Sequence, residues 1–225
     1  MQDVTSAVIA AAGLGTRIGL GMPKCMIEIG GQTILSRLIN TLRPHVSAIH
    51  VVVGYREEMV VEYCSLHHRD VVLVRNPDFR TTNTAYSLSM GSQHLPGKVL
   101  YLDGDLLVSA ASLKKFLTAA KQRDILVGLT NAKSENAVYV LAEEAGDCIN
   151  ISGFSREQKT KFEWANIISA PNDLMHGAPG YVFERLIEHL PLQGHMLELA
   201  EVDTPDDLSA AQHFVHQLSS SESSS

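Results

Sequence analysis

Short apolar runs rich in valine, isoleucine and leucine alternate along the chain with segments of helical periodicity. The runs cover residues 4–10, 49–53, 71–74, 99–102 and 125–129, and continuous runs of this kind are typical of strands buried on both faces. Between them, apolar residues at three- and four-residue spacings predict helices over residues 33–42, 57–66, 84–94 and 112–122. This alternation predicts an α/β fold with three layers (α/β/α), in which a mostly parallel, Rossmann-like sheet carries helices on both faces.

The alternation of predicted strands and helices ends after residue 132. Residues 137–142 and 149–152 predict an antiparallel pair of strands, which residues 164–169 extend. A helix is expected over residues 179–190, a strand over 196–202, and a closing helix over 205–218 with Thr204 at its N-cap. We therefore expect one domain over residues 1–218 with a small antiparallel extension. Residues 219–225, which are almost all serine, are expected to form a disordered tail.

Composition narrows the classes of function. The formal charge of −7 and a pI near 5.8 leave no excess of basic surface, which argues against nucleic acid or an anionic membrane as a partner. The three cysteines lie far apart without a C-x-x-C pair, so neither a disulfide framework nor a zinc site is expected. With no signal peptide and no apolar stretch of membrane-spanning length, we expect a soluble cytoplasmic protein.

The first predicted strand ends in a glycine-rich segment, Ala11-Ala12-Gly13-Leu14-Gly15-Thr16-Arg17, and Pro23-Lys24 follows. In an open parallel sheet the ligand crevice lies at the carboxyl ends of strands, where this segment falls. Ile18 stands where a dinucleotide fingerprint needs a small residue, and no Gly-Lys-Ser or Gly-Lys-Thr is present for a P-loop. An ordinary glycine turn with surface cations is the remaining alternative, but the two spaced cations favour phosphate binding.

This segment resembles the G-x-G-T-R and P-K signature of the superfamily of sugar-phosphate and alkyl-phosphate nucleotidyltransferases. The resemblance extends from the first predicted strand to the last helix. It implies that Arg17 binds the β- and γ-phosphates of a nucleoside triphosphate and that Lys24 binds the α-phosphate. It also implies nucleotide binding by the loop residues Ala11, Ala12, Gly13, Leu14, Gly15 and Thr16.

Two acidic clusters directly follow predicted apolar segments. They are Asp103-Gly104-Asp105 and Glu201-Val202-Asp203, and residues two apart on extended backbone point to the same side. A plain turn and a helix N-terminus are the alternatives for the two clusters. In the superfamily, one acid from each position shares a magnesium ion, and Asp105 and Asp203 match that pattern. Glu201 is a further candidate metal ligand, and Asp103 is a candidate nucleotide contact.

The segment that opens the third predicted helix occupies the place where superfamily members read the base. The pattern N-P-x-[FY]…N-x-x-Y-S-L, which runs from Asn76 onward, resembles the phosphocholine cytidylyltransferase group, which includes aminoethylphosphonate-type enzymes. The resemblance favours CTP and assigns base reading to Asn83, Thr84 and Ala85. Helix capping by Thr82 or Asn83 is the alternative, and the two roles can coexist.

Aromatic and acidic residues are the candidates for the acceptor site. An acceptor that carries an ammonium group would be surrounded by aromatic faces and carboxylates, for which the candidates are Tyr86, Glu163, Trp164 and Tyr181. Burial in the core is the alternative for the lone tryptophan.

The resemblance as a whole implies a Mg²⁺-dependent enzyme. It would transfer CMP from CTP to a small phosphorylated acceptor, such as phosphocholine or aminoethylphosphonate, and release pyrophosphate. A nucleotidyltransferase acting on a sugar-1-phosphate or inositol-1-phosphate is the rival within this class. A non-catalytic nucleotide sensor on the same scaffold is the rival from another class. Whether the chain forms a homodimer is left open.

Overall fold

The computed structural model describes residues 3–15, 18–133, 137–145, 148–177 and 180–222. In chain order the strands are β1 (Val4–Ala11), β2 (Glu28–Ile29), β3 (Gln32–Thr33), β4 (Ala48–Val53), β5 (Val72–Arg75), β6 (Lys98–Asp103), β7 (Leu106–Val108), β8 (Leu126–Asn131), β9 (Tyr139–Ala145), β10 (Cys148–Ser155), β11 (Phe162–Pro171), β12 (Leu192–Met196) and β13 (Leu199–Glu201). The helices are α1 (Ile34–Leu42), α2 (Glu57–His67), α3 (Thr84–Ser92), α4 (Ala110–Ala120), α5 (Val182–Ile187) and α6 (Pro205–Glu222).

A nine-stranded mixed sheet forms the centre of the molecule, in the order β5-β4-β1-β6-β11-β8-β12-β10-β9. Its first four strands are parallel, so their carboxyl ends lie along one edge. Strand β11 runs antiparallel between β6 and β8 and also pairs with β9. The predicted antiparallel pair, β9 and β10, is present and is joined to the parallel half through β11.

Alternate residues of the parallel strands supply two separate cores, which is the pattern expected for a sheet covered on both faces. In β1, Ile9 packs into the cluster that contains apolar residues of α1, α2 and α4, whereas Val8 packs into the cluster that contains those of α3 and α5. The three-layer α/β/α architecture predicted from the sequence is therefore confirmed.

Side-chain caps fix where two of the helices begin. The Thr33 hydroxyl accepts the backbone N–H of Ser36 at the start of α1, and Ser109 does the same for Ser112 at the start of α4. Each cap satisfies one of the amides that the first helical turn leaves without a partner.

The structure departs from the sequence-based boundaries near the carboxyl terminus. The single strand predicted over residues 196–202 is wrong, because β12 ends at Met196 in the central sheet and β13 pairs separately with β7. Helix α5 is shorter than the predicted helix over residues 179–190. Helix α6 continues to Glu222, so the predicted tail is helical over residues 219–222. There the Ser219 and Ser220 hydroxyls donate to carbonyls four residues back.

Among the described residues, no helix combines the length and the apolar character needed to cross a membrane.

Candidate active site

The carboxyl ends of the parallel strands open into one cleft of about 430 Å³. Its walls come from the loop after β1, the segment between β5 and α3, the end of β6 and the segment around β13. The residues that line it are Ala10, Ala11, Ala12, Gly13, Leu14, Gly15, Lys24, Cys25, Phe79, Arg80, Thr82, Asn83, Thr84, Ser87, Asp103, Gly104, Asp105, Tyr181, Glu201 and Asp203. The cleft therefore lies where the parallel topology predicts a ligand crevice.

A short antiparallel pairing brings the two acidic clusters together although they are distant in the chain. Strand β7 follows Asp105 and β13 precedes Asp203, and Leu106 lies opposite Glu201 in their register. The backbone N–H of Val202 also donates to the Asp105 carbonyl at 3.1 Å. Main-chain pairing therefore fixes the separation of the two carboxylates.

Gly104 lets the Asp103-Gly104-Asp105 segment pass close to β1. Its N–H donates to the Ala10 carbonyl at 2.9 Å. A Cβ at this position would lie 2.8 Å from that same carbonyl oxygen, so a side chain here would force the backbone to shift. The glycine between the two aspartates is therefore required by close backbone packing, which the plain-turn alternative does not explain.

Lys24 lies between the two acids at the floor of the cleft. It opens a single 3-10 turn, Lys24–Met26, after Pro23. Its Nζ donates to Asp105 Oδ2 at 3.1 Å and also to Asp203 Oδ1. Burial works to lower the pKa of Lys24, but the charges and hydrogen bonds of Asp105 and Asp203 outweigh it and raise the pKa above its ordinary value. Lys24 is therefore a charged partner of both acids.

One lysine does not balance the carboxylates gathered here. Burial, followed by the charges of Asp105 and Glu201, raises the pKa of Asp103 well above its ordinary value. Burial also raises the pKa of Asp105. For Glu201, burial and the charges of Asp105 and Asp203 raise the pKa to about 8. Clustered carboxylates that resist ionisation are the electrostatic setting in which a divalent cation binds favourably.

The donor set fits magnesium. One carboxylate oxygen from each of Asp105, Glu201 and Asp203 lies within 4.8 Å of the others, and oxygen is the ligand that Mg²⁺ prefers. Asp105 Oδ1 is buried without a hydrogen-bond partner, and a buried unpaired carboxylate oxygen is costly unless a ligand occupies it. These three residues could hold one metal ion.

The glycine-rich loop lies directly above Lys24. Gly15 has a φ of +60°, and a Cβ added there would lie 3.2 Å from Lys24 Cγ. The carbonyl of Ala12 accepts the N–H of Tyr55 at 3.1 Å, which ties the loop to the end of β4. Thr16 and Arg17, to which the sequence assigned nucleotide binding and a catalytic role, lie outside the described residues. The described part of the loop can bring backbone amides close to a phosphate.

The opposite wall of the cleft begins at α3. Asn83 is the N-cap of this helix, since its Oδ1 accepts the Tyr86 N–H at 3.1 Å, and its Nδ2 donates to the Gly180 carbonyl at 2.6 Å. The capping alternative is therefore correct for Asn83, whose amide also joins α3 to the segment before α5. Thr84 lines the cleft, whereas the side chain of Ala85 is buried in the core.

Among the cleft residues without a role assigned from the sequence are Phe79, Arg80 and Cys25. The guanidinium of Arg80 lies over the Phe79 ring at 5.3 Å from its centroid, and both residues line the wall next to Asn83. Because both residues follow the carboxyl end of β5, their position in the sequence could have indicated a place in the cleft. Cys25 also lines the cleft, and burial raises the pKa of its thiol to about 12, so it stays protonated and is a poor nucleophile.

Asn166 contacts the acidic cluster from β11. Its backbone φ is +55°, and it lies where the pairing of β11 with β8 shifts register between Trp164 and Ile168. From there its Nδ2 donates to Glu201 Oε2 at 3.2 Å. Asparagine tolerates this left-handed conformation better than most residues, but the sequence alone does not reveal the bulge.

Comparison with known proteins identifies the family to which the chain belongs. A family model described as the MobA-like NTP transferase domain matches residues 7–213. The chain belongs to the MobA-like NTP transferase family. The bifunctional protein GlmU of Methanococcus vannielii is 28% identical over 200 residues, which cover 87% of this chain and 46% of that protein. The chain thus spans less than half the length of this curated relative.

Solved structures share the fold of this chain over nearly its whole length. The CTP:phosphocholine cytidylyltransferase of Streptococcus pneumoniae has a TM-score of 0.75 at 16% identity, covering 94% of this chain and 99% of that chain. The inositol-1-phosphate CTP transferase from T. maritima has a TM-score of 0.73 at 17% identity, covering 96% and 97%. At these identities the likeness shows the fold alone.

The four candidate acceptor residues are scattered around this MobA-like domain. Tyr181 lines the cleft, whereas Tyr86 is exposed on the surface of α3. Glu163 Oε2 accepts the backbone N–H of Lys133 at 3.0 Å. Trp164 is partly buried against the core, and its indole nitrogen is buried without a hydrogen-bond partner. Of these four residues, only Tyr181 is among the lining residues.

Proposed function

We propose that this chain is a magnesium-dependent nucleotidyltransferase that transfers CMP from CTP to a small phosphorylated acceptor and releases pyrophosphate. One observation carries the proposal. Lys24 contacts both Asp105 and Asp203 at the floor of a cleft that the glycine loop also lines. Membership of the MobA-like NTP transferase family supports the class of reaction.

In the proposed reaction, an acceptor phosphate or phosphonate oxygen attacks the α-phosphorus in line. A new P–O bond forms as the bond between the α-phosphorus and the bridging oxygen breaks, and pyrophosphate leaves with that oxygen. The acceptor oxygen is already anionic, so no general base is needed. Positioning and charge stabilisation carry the catalysis.

The chain's own residues have distinct parts in this scheme. Backbone amides of the loop from Ala12 to Gly15 hold the phosphates, and Lys24 neutralises the negative charge that grows on the oxygens of the α-phosphate. Asp105 and Asp203 would hold the magnesium ion, and Glu201 is a third candidate ligand. A bound magnesium ion supplies Lewis-acid stabilisation of the phosphate oxygens. Arg17 is assigned to the departing pyrophosphate by the family resemblance.

CTP as donor is supported by the pattern around Asn83 and by two structural neighbours whose names specify CTP. One of these neighbours is named for phosphocholine, which favours phosphocholine or an aminoethylphosphonate as the acceptor. The other is named for inositol-1-phosphate, which makes that acceptor the second candidate. Among the described residues, two aromatic side chains line the cleft, those of Phe79 and Tyr181.

A grid of pyrophosphate-release assays tests the proposal. Each of CTP, UTP, GTP and ATP is combined with phosphocholine, aminoethylphosphonate, inositol-1-phosphate and glucose-1-phosphate in the presence of Mg²⁺. Release with CTP and one of the first two acceptors is the expected result. Activity that requires UTP or GTP and a sugar phosphate would replace the proposed substrates. Binding of CTP with no release for any acceptor would favour a nucleotide sensor.

A further inference from the structure

Lys24 bonds two of the acids that the metal ion would need. Its ammonium group bonds one oxygen of Asp105 and one of Asp203, and the same two residues supply two of the three atoms in the candidate metal cluster. Mg²⁺ binds oxygen at about 2.0–2.1 Å. An ammonium group in contact with both carboxylates therefore lies close to any ion that they coordinate and competes with it for their charge.

Lys24 and its partners are enclosed enough for this competition to matter. The side chains of Lys24, Asp105 and Asp203 are 16%, 16% and 18% exposed. Charges at such a site are screened much less than charges on an open surface. The ammonium group and the metal ion would repel each other at this short distance, so the ammonium group weakens the binding of the ion.

A phosphate group offers Lys24 an alternative partner. Gly15 of the glycine loop is in contact range of the Lys24 stem, so phosphates held by that loop would lie beside this side chain. A nucleoside triphosphate brings anionic oxygens that can draw the ammonium group away from the acids. It also brings oxygens that complete the coordination of the ion.

We propose that Lys24 is a resident counter-ion that closes the Asp105–Asp203 site to free metal, so that the site takes the ion only together with a nucleoside triphosphate. This inference rests on the proposed function for the nature of the nucleotide. The competition between Lys24 and metal rests on the geometry alone and can be measured without any transfer reaction.

The test is a titration of the protein with Mn²⁺ in the absence of nucleotide, with free Mn²⁺ followed by electron paramagnetic resonance. Lys24→Gln removes the competing charge and keeps a polar side chain. We expect this variant to bind Mn²⁺ roughly tenfold more tightly than the wild type, within the usual range for coupling between two sites. A gain in affinity is informative, because most substitutions at a metal site weaken metal binding.

Two further variants show where any gain arises. Lys121→Gln removes another paired lysine, whose partner Asp3 lies just before β1 and therefore at the opposite end of the sheet; it should bind Mn²⁺ as the wild type does. The double variant Lys24→Gln/Asp105→Asn should lose the gain. Equal Mn²⁺ affinity of Lys24→Gln and the wild type would overturn the proposal, as would a gain that survives loss of the Asp105 charge.

Thermal unfolding provides a second measurement if Lys24→Gln is poorly folded, and Lys24→Met is then the alternative variant. Mn²⁺ alone should raise the unfolding midpoint of the lysine variant more than that of the wild type, whereas Mn²⁺ with CTP should stabilise the wild type. Equal shifts with Mn²⁺ alone would contradict the inference. Failure of every transfer assay would remove the proposed function and leave these affinity ratios unaffected.

Discussion

The backbone N–H of Val202 donates to the carbonyl oxygen of Asp105 at 3.1 Å, so the two acidic segments are joined through the main chain itself. The pairing of β7 with β13 continues from this bond. Holding these carboxylates together costs electrostatic free energy that the single charge of Lys24 does not fully offset. The fold thus forms a cation site at a cost in stability. Substitutions of these acids should therefore reduce activity without reducing the stability of the folded protein.

Asp105→Asn and Asp203→Asn should each reduce nucleotidyl transfer by at least about a hundredfold, since even substitutions that only support a metal ligand cost about 10–100-fold. The unfolding midpoint of the metal-free protein should stay the same or rise, because each change removes one of several like charges. Initial rates of pyrophosphate release and thermal melts in EDTA measure the two effects.

The control is Asp206→Asn, which removes a carboxylate from the exposed first turn of α6 while leaving the cluster intact. Transfer by this control should remain near that of the wild type. Near-normal transfer by the Asp105 or Asp203 variant would rule out the metal assignment.

Gly104→Ala should impair both stability and transfer. The added Cβ would lie 2.8 Å from the Ala10 carbonyl oxygen, and relief of that clash would displace Asp105. Gly91→Ala is a matched comparison, because its Cβ would meet Val8 and Val52 at the packing of α3 on the sheet. Both variants should lose about 1–3 kcal/mol of unfolding free energy, as overpacked cores do.

Kinetics separate these two glycines. Per folded molecule, Gly104→Ala should show a raised requirement for Mg²⁺, whereas Gly91→Ala should keep the wild-type requirement. Denaturant melts together with Mg²⁺ titrations of the rate provide the comparison. An unchanged Mg²⁺ requirement in Gly104→Ala would mean that the close approach to β1 does not position Asp105.

The contribution of Glu201 to the stability of the metal-free protein should fall as the pH rises. Burial and neighbouring carboxylates raise the pKa of Glu201 from 4.5 to about 8, so the folded state holds this proton more tightly than the unfolded state. Its contribution to stability is complete below about pH 4.5 and is lost as the pH passes through about 8. Thermal midpoints in EDTA across this interval measure that loss when the wild type is compared with a variant that lacks the carboxyl group.

Glu201→Gln isolates this contribution, because the amide does not ionise. Its midpoint should decline less steeply over the same interval than that of the wild type, and the two curves should approach each other at acid pH. Parallel curves would show that Glu201 has an ordinary pKa in the folded protein.

The sequence predicted those parts of the site that lie in contiguous motifs at the ends of parallel strands. The glycine loop follows β1 and Asp105 follows β6, and parallel neighbours place their carboxyl ends at the same edge. Asp203 required the superfamily pattern as well, since it lies outside the parallel part of the sheet. The three-residue strand β7, which brings Asp203 to Asp105, is too short to carry a periodic signal.

Tertiary packing explains the main error. Strand β12 contains Gly194, which local pattern treats as a strand breaker. A Cβ at Gly194 would lie 2.3 Å from Leu129 Cδ1, so this glycine is present because strand β8 packs against it. The bulge that presents Asn166 to Glu201 is likewise set by the pairing of β11 with its neighbours. Neither relationship exists in the local sequence.

Asp207 should act as a positioning residue for Asp203. Its Oδ2 accepts the N–H of Asp203 at 3.0 Å, and the N–H and hydroxyl of Thr204 at 2.7 and 2.9 Å. Burial works to raise the pKa of Asp207, but these hydrogen bonds outweigh it and hold the pKa below its ordinary value. The ionised carboxylate thus fixes the backbone that carries Asp203.

Asp207→Ala should therefore weaken Mn²⁺ binding in the presence of CTP by about tenfold, as loss of a group supporting a metal ligand does. It should also cost about 1 kcal/mol of stability through the lost cap. Asp206→Ala removes the same charge one residue earlier and should change the affinity little, whereas Asp207→Asn, whose amide oxygen still accepts, should recover part of the loss. The affinities are measured well below the unfolding midpoints of the variants. Equal losses of Mn²⁺ affinity in the Asp206 and Asp207 variants would mean that Asp207 acts only through its negative charge at the helix N-terminus and does not position Asp203.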